Sequence, residues 1–322
     1  MEKDSVSASA PNNRTYFEKE RECEIRFREG GPFWHLCTPG HLTEILFTNE
    51  DEFRFGMNLT GICADRFPLV KMFTFALMSN HVHLILSGER SRCEAMFELF
   101  FTRLKRFFQN SERRVDLGAF QPQLIPIDNL NSLRNEIVYV NRNGFVVNAS
   151  YTPFSYPWGA GDLYFNAMCQ LLELMGGASF NSLTSRDKVK ICRSKDCALS
   201  DSIKVLGDYI IVSSFCKIKD GERYFRDAHH YFNLLSKSFE AFSETAKRLG
   251  DAVLISDEEM FDVVRQLCLK HYGIKKPNLL TAEAKLEIAK KMHFDYKASN
   301  KQIQRILKVS QDILGTLFPQ AK

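Results

Sequence analysis

The chain has 322 residues, 44% of them hydrophobic and 25% charged, with 27 phenylalanines. That composition can fill large apolar cores, suggests two or three domains, and excludes disorder over most of the length. Lys and Arg number 43 against 39 Asp and Glu, a formal charge of +4, so only the placement of charge, not its total, can argue for a nucleic-acid partner.

The first residues, MEKDSVSASAPNNR, are polar, lack the apolar segment of a signal peptide and read as a disordered tail over 1–24. No run of about 18 apolar residues occurs, so no transmembrane helix and no membrane partner are expected. The nine cysteines are scattered without a CxxC, the usage of reduced, mostly buried thiols in a cytoplasmic protein. Cys192 and Cys197 stand close together in a basic loop, but no second ligand pair completes a zinc site.

Residues 32–38 follow a Gly-Gly break and read as a strand, and 42–48 as a second short one. Asn49-Glu50-Asp51-Glu52 caps an amphipathic helix over about 51–65. Residues 69–77 form an aromatic and aliphatic strand, and 81–86 the next, close enough to pair antiparallel. Over 91–110, Met96, Phe97, Phe100, Leu104, Phe107 and Phe108 recur at helical spacing. Arg103, Lys105, Arg106, Arg113 and Arg114 gather at its end. They fit either a solvated face with favourable charges near a helix C-terminus or a phosphate-contacting patch.

Residues 116–128 are turn-rich. A helix is predicted over 132–143, then a loop over 144–165 that packs back through Phe154, Tyr156 and Trp158. The region 166–277 reads as mainly helical and without a functional signal. Helices are predicted near 166–175, 222–249 and 257–271, the last opened by a capping box of Ser256 and Glu259. Residues 209–216 fit a strand or a buried helix. From 278 to 322, a helix at 281–293 precedes two short helices. Ser299 and Gln302 form a capping box on the first, and Ser310 caps the second after the turn at 308–310. Two short helices joined this way read as a helix-turn-helix.

The sharpest chemical signal is Asn80-His81-Val82-His83. On a strand, His81 and His83 share one face while Val82 and Leu84 point into a core on the other. Two such imidazoles fit a bidentate metal site or a pair of surface histidines. Tyr139 and Asn143, spaced i, i+4, share a helix face. Asn143 offers an amide oxygen to a cation. Tyr139 offers a phenol that needs nearby positive charge or a base to attack phosphorus, since it ionises near pH 10 in free solution.

FALMSNHVHLILSG resembles the signature of the single-tyrosine HUH transposases, in particular the REP-associated tyrosine transposases. The likeness extends to the His35 strand and ILFTNEDEFRF upstream, and to TRLKRFF, IVYVNRNGFVVNA and FSYPWG downstream, over about residues 30–165. It implies an α+β fold with a ferredoxin-like antiparallel sheet and packed helices over 25–165, followed by a mainly helical C-terminal region. His81, His83 and Asn143 would then hold Mg2+ or Mn2+. Tyr139 would attack a single-stranded DNA phosphodiester beside a hairpin, giving a 5′-phosphotyrosine and a free 3′-OH.

The chain departs from the family at Asn143-Gly144, where Asn-Pro is common; glycine is expected to end the helix in proline's place. YKASNKQIQRILKVSQDIL resembles helix-turn-helix tails of some members. It is expected to bind DNA through Lys301, Arg305 and Lys308, with a packing or dimerisation module as the other reading. Related enzymes deliver the tyrosine in cis or across a homodimer, and both assemblies fit. The expected location is the cytoplasm, at the nucleoid. The competing functions are a domesticated, non-cleaving binder of structured nucleic acid and an unrelated metal-dependent hydrolase in which Tyr139 is structural.

Overall fold

The computed structural model describes residues 15–40, 45–111, 113–147, 151, 155–236, 257–274, 276–294, 296 and 298–318. The predicted capping box at Ser256 and part of the predicted 222–249 helix lie outside them, as does Phe154.

Helix α1 (Tyr16–Glu29) occupies part of the stretch that reads as a tail. Its signal is in the sequence: Thr15 and Glu18 form a reciprocal capping box. Cys23 is buried, and Phe27 stacks on Phe33 with ring centroids 4.9 Å apart.

Strand β1 (Phe33–Cys37) leads to α2 (Glu50–Arg66). The Asn49 side chain accepts from the Glu52 amide, and three acidic residues fill the first turn, where they favour the helix dipole. The strand expected over 42–48 is absent from its described part; instead the Leu46 and Phe47 amides both donate to the Ser79 carbonyl. Strands β2 (Lys71–Leu77) and β3 (Val82–Ser87) pair antiparallel, and α3 (Arg90–Gln109) follows. Strand β4 (Gln123–Ile127) lies in the stretch that reads as irregular. Pro126 obscures it: proline demotes a strand in the reading of a sequence, yet an edge strand tolerates it.

The sheet order is β2-β3-β1-β4, antiparallel throughout. Because strand side chains alternate, the register assigns two faces. Cys37 and Ala76 both lie opposite His83, and His35 and Thr74 both lie opposite Ile85. These residues therefore share one face. Leu36, Leu77 and Leu84 belong to the other, where Gly56 of α2 approaches the Leu77 side chain. Helix α3 packs on α2 there, with Phe107 stacked on Phe55 at 4.2 Å.

The histidine face is covered by α4 (Leu130–Val147). It is buried nearly all round from Leu133 to Arg142, as expected of a helix held between a sheet and further chain. On its outer side Arg134, 1% exposed, donates to the Tyr224 carbonyl and makes a two-pronged pair with Glu20 of α1 at 2.7 and 3.1 Å. The helix does not end at Gly144 but runs on to Val147. The ring of Tyr156 sits where a Cβ on Gly144 would be: the ring's Cγ and Cδ1 would overlap it, and even Cδ2 would lie only 2.7 Å away. Glycine stands there because the returning loop needs the space. The loop then anchors through the Tyr156 hydroxyl to the Leu77 carbonyl, the Leu77 amide to the Trp158 carbonyl, and Trp158 stacked on Phe53.

The chain continues through α5 (Ala167–Gly176), β5 (Ala178–Ser179), α6 (Ser185–Cys192), β6 (Lys204–Leu206), β7 (Tyr209–Ile210), α7 (Val212–Phe215), α8 (Ile218–Glu222) and α9 (Ala228–Leu235), with β5, β6 and β7 forming a small antiparallel sheet. Residues 209–216 are thus a strand and then a helix. This region has no core of its own. One apolar cluster runs from Cys23 to Leu235, and the Tyr164 hydroxyl donates to the Phe73 carbonyl inside it.

Four helices, α10 (Asp257–Tyr272), α11 (Ala282–Phe294), α12 (Asn300–Leu307) and α13 (Gln311–Leu317), form a second core from Met260 to Phe318. The predicted caps are present: Ser299 accepts from the Gln302 amide and Ser310 from the Ile313 amide. Lys308 adopts a left-handed φ of 56° at the turn between α12 and α13. The buried Asn300 amide donates to the Leu314 and Phe318 carbonyls and ties the two helices together.

Candidate metal and tyrosine centre

Between the sheet and α4 lies a polar cluster inside the apolar core. His83 and His35 are fully buried, Glu136 is 1% exposed, Cys37 3% and Tyr139 6%. Their convergence follows from two periods. On β1, His35 and Cys37 are two apart and share the face of His83. On α4, Glu136, Tyr139 and Asn143 are spaced by three and four and share one helix side. Packing that side on the sheet brings the sets together.

The contacts form a chain. Glu136 Oε2 lies 3.2 Å from His35 Nδ1, and His35 Nε2 lies 3.0 Å from His83 Nδ1. An ionised carboxylate only accepts. With Glu136 ionised, His35 Nδ1–H donates to it, and a neutral His35 then accepts at Nε2 from His83 Nδ1–H. The Tyr139 ring stands edge-on to both imidazoles, with centroids 5.6 Å from His83 and 6.2 Å from His35. Such edge-to-face contacts are favourable and orient the ring.

His81 precedes β3 and is 8% exposed. Its ring is nearly perpendicular to that of His83 at 4.8 Å, and its Nδ1 lies 2.8 Å from Asn80 Oδ1. The backbone at Gly40 presses on this ring: a Cβ there would lie 2.6 Å from His81 Nδ1. The Asn80 amide closes the corner by donating to the Gly40 carbonyl. Asn143 is half-buried, and its Nδ2 has no hydrogen-bond partner among the described residues. Next to it, burial lowers the Arg142 guanidinium to about 10.

Of the residues singled out in the sequence, Tyr139, His81 and His83 come together here. Among the described residues, a second group of metal-binding side chains also converges. Donor atoms of His35, Cys37 and His83 all lie within 4.8 Å of one another. His35 and Cys37, two apart on the predicted strand over 32–38, carry the same local pattern as His81 and His83, whereas Glu136 carries none. Only the β1–β3 register brings that pair to His83, and only the helix packing reveals Glu136. Cys192 and Cys197 belong to no such group among the described residues, and burial, with Cys197 beside it, pushes the Cys192 thiol up to about 12.

The basic patch divides. Arg103 is paired with Asp196 at 3.1 Å, and Arg113 with Glu52 at 3.1 Å and with the Ile45 carbonyl at 2.7 Å. Both are therefore engaged within the fold. Lys105, Arg106 and Arg114 differ: Lys105 and Arg106 are exposed, and so is Arg114. Lys105 and Arg114 line a groove of about 900 Å3 with Phe101 and Phe108. This patch belongs to the α2–α3 side of the sheet, opposite the tyrosine. In the second core, Lys301, Arg305 and Lys308 are exposed. No helix among the described residues is long and apolar enough to cross a membrane.

No protein-family model matches the chain, and neither a curated protein nor a solved structure matches it.

Proposed function

We propose that the chain is a divalent-metal-dependent single-stranded DNA endonuclease and strand transferase, working in the manner of the REP-associated tyrosine transposases that its motifs resemble. The observation that carries this reading is the Tyr139 ring held edge-on against His83 and His35. A phenol and the imidazole pair, more than fifty residues apart in sequence, meet at one buried point. The β-α-β-β-α-β connectivity with order β2-β3-β1-β4 is that of a ferredoxin-like unit and supports the same reading.

In this mechanism the Tyr139 oxygen attacks phosphorus, the bond to the 3′ oxygen breaks, and a 5′-phosphotyrosine remains. A later 3′-OH reverses the step without water. A metal bound through His83, with His81 and Asn143 as the ligands the resemblance implies and Mg2+ or Mn2+ as the ion, would offset charge on the non-bridging oxygens. Lys105, Arg106 and Arg114, with Lys301, Arg305 and Lys308 of the second core, are the candidate backbone contacts. Hairpin-flanked single strands at the nucleoid are the proposed substrates, and a homodimer that exchanges tyrosines is compatible with this scheme.

A second reading is a non-cleaving binder of structured nucleic acid. The burial of Tyr139 favours it, because a phosphate reaches the hydroxyl only after the site opens. A labelled single-stranded hairpin oligonucleotide incubated with Mg2+ or Mn2+ and run on a denaturing gel separates the two. The transferase gives a shifted covalent adduct that Tyr139→Phe and His83→Ala abolish while DNA binding persists. A binder shifts native gels only. Cleavage that survives Tyr139→Phe would overturn the tyrosine assignment.

A further inference from the structure

We infer that His35, Cys37 and His83 form a thiolate-containing site for a borderline transition ion of the zinc class, with Glu136 as the carboxylate that orients His35.

The geometry is close to what such an ion requires. In a tetrahedral zinc site, bond lengths of about 2.0–2.1 Å to nitrogen and 2.3 Å to sulfur put donor pairs roughly 3.3–3.8 Å apart. Here His35 Nε2 and His83 Nδ1 are 3.0 Å apart, and no donor pair in the group exceeds 4.8 Å. The two nitrogens are held against each other by a hydrogen bond, so an ion enters only as the imidazoles turn apart and that bond is given up. The backbone is already arranged: Cys37 and His83 are directly opposed on adjacent strands, and His35 is the diagonal neighbour.

The donor chemistry selects the ion. Mg2+ and Mn2+ prefer oxygen ligands, whereas a thiolate with two imidazoles suits Zn2+ and its Co2+ substitute. Glu136 on His35 Nδ1 adds the carboxylate–histidine arrangement that fixes which nitrogen faces the metal. Loading balances simply. The Cys37 thiol gives one proton to solvent and binds as thiolate. His83 moves its ring proton from Nδ1 to Nε2, so that Nδ1 becomes a donor to the metal. The three side chains fill three positions of a tetrahedral ion, and because all of them are buried, a ligand from outside takes the fourth position only when the site opens. The Tyr139 ring lies beside this position's two imidazoles.

This inference shares His83 with the proposed activity, so the two ions compete for that ring, but it does not depend on DNA cleavage. The test is titration of the full-length, reduced, metal-stripped protein with Co2+, followed by absorption spectroscopy and Zn2+ competition. The expected result is a sulfur-to-cobalt charge-transfer band in the near ultraviolet with tetrahedral d–d bands, abolished by stoichiometric Zn2+. Cys37→Ser should remove the charge-transfer band, and Cys169→Ser, at an exposed cysteine, should keep it. Glu136→Gln should keep the band and weaken Zn2+ binding by about 10–100-fold. If Cys37→Ser does not fold, as judged by circular dichroism, the wild-type spectrum and the Glu136→Gln affinity still decide. No charge-transfer band in folded wild-type protein, a band that survives Cys37→Ser, or Glu136→Gln binding Zn2+ as tightly as wild type overturns the site. A DNA adduct formed with Mg2+ by a protein lacking the band sinks this inference and spares the transferase. A band without any adduct does the reverse.

Discussion

Substituting alanine for Gly144 tests why the tyrosine helix carries glycine next to Asn143. Within a helix, Ala is favoured over Gly by about 1 kcal/mol, so propensity alone predicts stabilisation. The structure predicts the opposite. An alanine methyl would overlap Tyr156 Cγ and Cδ1 and lie 2.7 Å from Cδ2, so the ring must move, and overpacking of this kind costs about 1–3 kcal/mol. The ring is not free to move cheaply, because its hydroxyl is bonded to the Leu77 carbonyl, and breaking that bond adds about 1 kcal/mol. The net expectation for Gly144→Ala is destabilisation by about 1–3 kcal/mol. Urea denaturation followed by tryptophan fluorescence measures it. Both tryptophans, Trp34 and Trp158, belong to the first core, so the signal reports that unit and not the C-terminal helices. In a Tyr156→Ala background, Gly144→Ala should change sign and stabilise by up to about 1 kcal/mol. A neutral or stabilising effect in the wild-type background, or the same destabilisation after Tyr156 is removed, would refute the steric explanation.

Further outcomes follow from charge placement. Burial, then the neighbouring Glu173, raises Asp162 to about 7, whereas in the unfolded chain it loses its proton near pH 4. Between these values the folded state holds a proton that the unfolded state lacks, so this group lowers stability as pH rises through about 4–7 and has no further effect above that range. His230, lowered to about 4 mainly by burial, acts in the opposite sense between about pH 4 and 6.5. Comparing Asp162→Asn with wild type isolates the first effect: denaturation midpoints at pH 5 and pH 8 should show the variant gaining relative stability at the higher pH, and parallel profiles would exclude Asp162 as the cause. On the α2–α3 side, Lys105→Ala and Arg114→Ala should weaken single-stranded DNA binding and make its salt dependence shallower, by about one unit of log–log slope for each phosphate left unneutralised. Arg103→Ala should leave that slope unchanged; the ion pair with the largely exposed Asp196 contributes about 0–1 kcal/mol of stability, and loss of packing by the mostly buried arginine stem adds to that cost. Fluorescence anisotropy across a salt series reads the slopes, and a changed slope in Arg103→Ala would put that residue back on the DNA path.

Local patterns are legible wherever a single element contains its own signal. The period-three-and-four apolar residues of α3, the Asn49 cap of α2 and the Ser299 and Ser310 caps of the last two helices all appear where the sequence puts them. So does His83, near the start of a strand whose opposite face is apolar, although the strand begins at Val82 and His81 lies just before it. Other local signals are present but masked: the Thr15–Glu18 capping box by its polar flank, and β4 by Pro126.

The inventory is therefore written in the chain: a histidine strand, a tyrosine helix, basic side chains on α3, and a separate capped helical unit at the C-terminus. Which of these groups meet is a property of the tertiary fold. Cys37 faces His83 because of strand register, and Glu136 reaches His35 from 101 residues away because α4 lies on that face of the sheet. Arg103 and Arg113 become internal ion-pair partners because the loop after α6 and the segment entering α2 bring carboxylates and carbonyls to them. Register and helix-on-sheet packing are set by the burial of whole faces at once, a sum over contacts remote in the chain, and no local spacing encodes that sum.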